Sequence, residues 1–106
     1  MRNDVERIKD IAEAIAAIEK YAARGRDAFE ADELMQTWII HHLLILGEAT
    51  ARTTDEFRER HANIPWSKII GMRNILVHDY FAVDFDVVWR VVECELPRLK
   101  EVLDIR

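Results

Sequence analysis

The chain has 106 residues, of which 50% are hydrophobic and 33% are charged, and its net charge is −5. This length is enough for one hydrophobic core and too short for two, so we expect a single domain over residues 1–106. The composition excludes an intrinsically disordered chain, and the negative charge argues against a protein that coats nucleic acid without specificity.

The scarce residue types favour helices and a reducing compartment. Only 3 glycines and 2 prolines occur, and no long stretch alternates with period two, which predicts an all-α chain. Cys94 is the only cysteine and has no internal partner, which fits a cytoplasmic location. The uncharged stretch 34–47 is shorter than the roughly 20 residues of a membrane span, so no membrane association is expected.

The first helix is predicted over residues 4–24. Its apolar positions recur every three or four residues, the spacing of one helix face: Val5, Ile8, Ala12, Ile15, Ile18 and Ala22. Asn3 or Asp4 can cap the start of this helix, and Gly25 can end it.

The second helix is predicted to begin at Asp27-Ala28-Phe29-Glu30, which has the form of a capping box, and to run to about Arg52. Its middle part, residues 38–46, is apolar on almost every side. A small bundle cannot cover all sides of such a helix, so we expect part of it to form a subunit interface. The alternative is a central helix with three neighbours in the same chain.

The second half of the chain predicts three further helices. A short one is expected over residues 55–62, and Pro65 can begin the next one, which carries residues 66–77. The last helix should kink at Pro97, because proline lacks the N–H that would bond to the carbonyl of Glu93. We therefore predict an all-α fold, a four-helix up-and-down bundle with one short extra helix.

Chemically distinctive side chains are concentrated in the stretch Arg73-Asn74-Ile75-Leu76-Val77-His78-Asp79-Tyr80. On a helix, Asn74 and His78 lie on one polar stripe, whereas Arg73 lies about 140° from His78 and must reach it through its long side chain. The apolar residues of this helix are expected in the core: Ile69, Met72, Ile75 and Leu76.

An arginine and a histidine together suit the cleavage of RNA by its own 2′-hydroxyl. Arg73 would stabilise the charge that grows on the phosphate oxygens, and His78 could remove or supply a proton, without a metal ion. One histidine cannot easily be both base and acid, but a two-fold dimer would bring two copies to one cleft. The spacing alone is a weak signal, because such pairs usually mean a surface ion pair and a helix-end cation.

The surrounding sequence is more specific. The run Ile64-Pro65-Trp66-Ser67-Lys68-Ile69-Ile70-Gly71-Met72-Arg73-Asn74-Ile75-Leu76-Val77-His78-Asp79-Tyr80-Phe81 closely resembles the HepT toxins of the HEPN superfamily. Their signature is an arginine, four residues, a histidine, one residue and a tyrosine. The segments Leu46-Gly47-Glu48-Ala49 and Asp84-Phe85-Asp86-Val87-Val88-Trp89 also resemble the family, so that the likeness covers nearly the whole chain.

This resemblance implies a helical homodimer that acts as a metal-independent ribonuclease, the toxin of a type VII toxin–antitoxin system, with no cofactor. By position, Arg73 and His78 would be the catalytic pair, and Asn74 the polar residue that follows the catalytic arginine. Tyr80 matches the tyrosine that the cognate antitoxin, an MntA-type minimal nucleotidyltransferase, modifies with AMP. RNA and this transferase are the implied partners.

Other interpretations of these residues remain open. Tyr80 could pack its ring against the bundle with its hydroxyl in water. Glu48 could orient Arg73, or it could be a solvated residue near the end of its helix. Cys94 is expected to be buried and inert. A different function is a non-catalytic helical module that binds a nucleotidyltransferase, or a nucleotide, through the same cleft.

Overall fold

The computed structural model describes residues 3–79 and 83–104, and within these ranges the chain is helical apart from short connections. The helices are α1 (Asp4–Ala22), α2 (Arg26–Ala31), α3 (Glu33–Ala51), α4 (Asp55–Arg60), α5 (Trp66–His78), α6 (Phe85–Arg90) and α7 (Leu96–Val102), with a π-helical turn (Val91–Glu95) that joins α6 to α7. The all-α fold class is confirmed. None of the described helices is both long and apolar enough to cross a membrane.

Helix α1 begins as its sequence predicts. The side chain of Asn3 accepts a hydrogen bond from the backbone N–H of Glu6 at 3.1 Å, which satisfies one of the free donors of the first turn. The buried face consists of Ile11, Ala14, Ile15 and Ile18. Val5 was assigned to this face but is 74% exposed, because it lies in the first turn, before the helix reaches the core.

The predicted second helix is two helices, because Asp32 breaks it. The backbone of Asp32 is extended, and its carboxylate accepts hydrogen bonds from the N–H groups of Leu34 and Met35, so it caps α3. Helix α2 follows Gly25, whose φ of 93° is rarely adopted by residues with a side chain. The capping box predicted at residues 27–30 therefore does not start the long helix.

Helix α3 is the centre of the bundle, with α1 packed on one side and α5 on another. Its buried residues include Met35, Ile39, Ile40, Leu43, Leu46 and Ala49. Neighbours in the chain do not cover it completely, because Ile45 remains 38% exposed and His41 is exposed. The helix is thus central, as the alternative hypothesis has it, and the subunit interface stays a prediction.

The last helix accommodates Pro97 through its π-helical turn. The N–H of Leu96 donates to the carbonyl of Val91, five residues earlier, and α7 then continues with Pro97 in its first turn. Cys94 is exposed, so the prediction that it is buried is wrong. It lies two residues from both Val92 and Leu96, which are buried, and therefore faces the opposite side of the helix.

Candidate active site

Helices α3 and α5 pack tightly against each other at Gly47. A Cβ atom added to Gly47 would lie 2.5 Å from the Cβ and 2.9 Å from the Cγ of Arg73, which is closer than real Cβ contacts come. Only glycine fits here without a shift of one helix. Gly47 therefore lets α5 approach α3 closely enough to place Arg73 beside the next residue, Glu48.

The guanidinium of Arg73 is held by two side chains. Its Nε donates to Glu48 Oε1 at 2.6 Å, and its Nη1 donates to Asn74 Oδ1 at 2.8 Å. The side chains of Arg73 and Glu48 are 26% and 34% exposed, so the pair lies at the rim of the core. These two bonds use two of the five N–H donors of an arginine, which leaves three for a phosphate or another acceptor.

Glu48 thus contacts Arg73, as one of the two interpretations of this residue requires. Its other carboxylate oxygen lies 3.9 Å from Nη2 of Arg52, one helical turn later. A carboxylate between two guanidinium groups fixes their positions and leaves one net positive charge in the cluster. A ligand that brings its own negative charge would meet the free edges of both arginines.

His78 is the last residue of α5 and is exposed. It lies five residues after Arg73, about 7.5 Å further along the helix axis. Among the described residues it has no hydrogen-bond or ion-pair partner, so a single chain does not join it to the cluster of Arg73, Asn74 and Glu48. Tyr80, the predicted modification site, lies outside the described residues and stays a prediction.

Exposed apolar side chains precede His78 on α5. Ile75 is 48% exposed and Val77 is 44% exposed. Ile75 was expected in the core, and this expectation is wrong: it lies two residues, about 200°, from Arg73, and therefore points away from α3. Ile75 lies three residues before His78, on the same side of the helix, and is apolar surface that a second subunit could cover, whereas Val77 lies about 200° from Ile75 and faces another side.

The sequence analysis did not find the role of Gly47. It included this residue only as part of a segment that resembles the HepT toxins. A glycine inside a strongly apolar helical pattern was the available signal, because such a residue often marks close packing. Its partner across the interface could not be identified, since Arg73 is 26 residues away in the chain.

Within residues 3–79 and 83–104, no three histidine, cysteine, aspartate or glutamate side chains are grouped in a way that could hold a metal ion. The adjacent His41 and His42 do not share a ligand position: the Nδ1 of His42 lies 2.8 Å from the carbonyl oxygen of Trp38, and His41 is exposed.

Comparison with known proteins gives consistent matches. Residues 11–105 match the family described as Ribonuclease HepT-like. A protein of Thermococcus cleftensis named "Probable ribonuclease HepT" is 37% identical over 100 residues, which are 93% of this chain and 91% of the relative. A protein of Caldanaerobacter subterraneus named "Putative RNase" is 36% identical over 89 residues, 83% of this chain and 80% of the relative.

A longer relative contains a similar region. A Methanocaldococcus jannaschii protein named "Gamma-glutamylcyclotransferase and putative RNase" is 39% identical over 103 residues, which are 95% of this chain. The chain spans 46% of the length of this relative. No solved structure gives a significant match to the chain.

Proposed function

The chain belongs to the HepT-like ribonuclease family, and from this premise we propose that it cleaves RNA by attack of a 2′-hydroxyl on the adjacent phosphate, without a metal ion. A bond forms between the 2′-oxygen and phosphorus, and the bond from phosphorus to the 5′-oxygen breaks. The 2′-hydroxyl gives its proton to a base, and the 5′-oxygen receives one from an acid. The products are a 2′,3′-cyclic phosphate and a 5′-hydroxyl.

The observation that carries this proposal is the fixed guanidinium of Arg73. Glu48 and Asn74 hold it in one orientation and leave three N–H donors for the non-bridging oxygens of the phosphate. Negative charge accumulates on these oxygens in the transition state, so a cation that is already oriented stabilises it without further reorganisation. Glu48 and Asn74 act here as positioning residues.

His78 supplies the proton transfer in this proposal. The side chain of His78 is exposed, and an imidazole within reach of the substrate can act as base or acid. Two copies are needed if one takes the 2′-proton while the other protonates the leaving oxygen. A two-fold homodimer provides them, and the exposed Ile75, one helical turn before His78, is apolar surface that such a dimer could bury.

The biological role we propose is that of the toxin in a type VII toxin–antitoxin system. A partner nucleotidyltransferase of the MntA type would transfer AMP to Tyr80, two residues beyond His78. The added phosphate would bring negative charge to the site and compete with RNA for Arg73. This part of the proposal rests on the resemblance of residues 64–81 to the HepT toxins.

The activity is tested with purified protein and a defined RNA in the presence of EDTA. Arg73→Ala and His78→Ala should each lower kcat by about 10²–10⁴-fold, the usual contribution of such residues. Arg98→Ala removes an exposed arginine from α7 and serves as the matched control. Cleavage by His78→Ala at the wild-type rate would refute the catalytic assignment, and loss of wild-type activity in EDTA would refute the metal-free mechanism.

A further inference from the structure

A cavity lies at the opposite end of α3 from Glu48, between the end of α1 and the start of α3. Its volume is about 440 Å³, within the range of small-ligand sites. Aromatic and apolar side chains form most of its lining, with a basic residue and a histidine at its edge: Tyr21, Leu34, Met35, Trp38, Arg24 and His41.

The aromatic wall of this cavity is held in place. The indole N–H of Trp38 donates to the carbonyl of Ala17 at 2.7 Å, and the rings of Trp38 and Tyr21 meet edge to face with centroids 5.2 Å apart. His42 packs on the indole with a centroid distance of 4.4 Å. A fixed ring loses little conformational entropy when a planar ligand stacks on it.

The charges around the cavity favour an anionic ligand. The guanidinium of Arg24 lies over the ring of Tyr21, 5.0 Å from its centroid, and has no carboxylate partner among the described residues. Asp32 also lines the cavity, but its carboxylate accepts the N–H bonds that cap α3 and is thereby partly neutralised. An aromatic surface beside an unpaired cation is the combination that binds nucleotides in single-stranded nucleic acid.

The cavity lies along the seam between α1 and α3, and this seam leads to the candidate active site. His41 and Glu48 are seven residues apart on α3, which places them about 10 Å apart along the axis and within about 20° of one face. A second cavity, lined by Ile45, Glu48 and Arg52 from α3 and by Arg7 from α1, continues this seam. Trp38 lies ten residues before Glu48, about 15 Å along the axis, and a stacked strand advances about 3.4 Å per nucleotide, so the distance corresponds to about four nucleotides.

We propose that the cavity at Trp38 binds a base of the RNA substrate about four nucleotides from the scissile phosphate. The base stacks against Trp38 and the exposed Leu34, and the neighbouring phosphate contacts Arg24. This inference rests on the proposed ribonuclease function and adds a binding subsite to it. Because every base can stack on an aromatic ring, the subsite should strengthen the binding of longer RNA whatever its sequence.

Two substitutions test the cavity without disturbing the core. Arg24→Gln removes the exposed cation. Leu34→Glu places a carboxylate at the mouth, where Leu34 is 82% exposed and where the first turn of α3 accommodates an acid. Arg98→Gln and Val87→Glu are the matched controls: Arg98 is exposed on α7, and Val87 is an exposed apolar residue in the first turn of α6. Circular dichroism verifies that all four variants fold.

The kinetic test compares an eight-nucleotide RNA with a dinucleotide that reaches only Arg73. For the longer RNA, Arg24→Gln and Leu34→Glu should raise KM by about 5- to 100-fold with kcat unchanged, the scale of one stacked base. For the dinucleotide, all variants should match the wild type. Equal KM values of all variants for the longer RNA would overturn the subsite while the ribonuclease function stands.

A binding test separates this inference from the catalytic proposal. An uncleavable 2′-O-methyl octanucleotide should quench tryptophan fluorescence, and Trp38→Phe should remove the effect, since Trp66 and Trp89 are only 9% and 6% exposed. If the octanucleotide quenches the fluorescence although the protein cleaves no RNA, the subsite is supported and the ribonuclease function is refuted. If the octanucleotide does not quench the tryptophan fluorescence but a protein partner does, RNA is not the occupant of the cavity.

Discussion

The contact between Gly47 and Arg73 allows a pair of glycine substitutions to be compared directly. Both Gly47 and Gly71 lie inside helices, where exchange of glycine for alanine stabilises by about 0.5–1 kcal/mol if space permits. A Cβ at Gly71 meets no atom within 4 Å, so Gly71→Ala should show this gain. A Cβ at Gly47 meets Arg73 at 2.5 Å, and overpacking of this kind costs about 1–3 kcal/mol.

The gain in helix propensity is common to both variants and cancels, so they should differ in free energy of unfolding by the overpacking cost, about 1–3 kcal/mol, with Gly71→Ala the more stable. The Cβ of Arg73, 2.5 Å from the added atom, is fixed to the backbone and cannot be relieved by a side-chain rotation, so the backbone of one helix must move. This movement should loosen the 2.6 Å contact between Arg73 and Glu48 and lower kcat/KM by about 10- to 100-fold.

Urea unfolding and RNA cleavage measure these two effects on the same preparations. If Gly47 acts through Arg73 alone, Gly47→Ala should cause no further loss of activity in an Arg73→Ala background, while its effect on stability should remain, because alanine keeps the Cβ. Equal stability of Gly47→Ala and Gly71→Ala, with wild-type cleavage by both, would refute the close-packing argument.

Three further predictions follow from other contacts. Glu48→Gln keeps an acceptor for Arg73 but removes the charge; kcat should fall while stability, measured in urea, changes by at most about 1 kcal/mol, since the pair is partly exposed, and unchanged kcat would show that the charge of Glu48 is not needed to position Arg73. Hydrogen bonds from Thr54 hold the pKa of Asp4 below its ordinary value of 3.8. Their contribution to stability is therefore present above pH 3.8 and is lost as the pH falls through the lower pKa of the folded state. Asp4→Asn should destabilise the protein at pH 7 and have no effect in strong acid, and a difference in stability that persists in strong acid would contradict this assignment. Tyr80→Phe should still cleave RNA but gain no mass with the partner transferase, ATP and magnesium, whereas AMP found on another residue would remove Tyr80 from the mechanism.

Local patterns in the sequence were sufficient for much of the fold. The cap at Asn3 and the burial of Ile15 and Ile18 depend on residues within one or two turns, and the sequence predicted them; the buried Ile11 and Ala14 were not in the predicted stripe. The start of α3 was misplaced because two aspartates competed for the cap, and the carboxylate of Asp32, not that of Asp27, reaches the free N–H groups. The exposure of Cys94 depends on the direction of the last helix, which apolar neighbours in sequence do not reveal.

In the candidate site, too, the residues that local sequence identifies differ from the features that depend on tertiary packing. Arg73, Asn74 and His78 were selected from their chemistry and from the resemblance to the HepT toxins, and the pairing of Arg73 with Glu48 was one of two open interpretations. The close approach at Gly47 and the exposure of Ile75 depend on how α5 is rotated against α3. That rotation is set by tertiary packing over many residues, so no local pattern contains it.

The proposed catalytic residues also differ in the local stability of their backbone. Arg73 lies in the middle of α5, packed on α3, where opening of the helix requires the loss of buried contacts. His78 is the final residue of α5, where helices open and close most easily. In amide hydrogen exchange, the N–H of Arg73 should therefore be protected much longer than that of His78, because folding of one chain holds the proposed cation more firmly than the proposed proton-transfer residue.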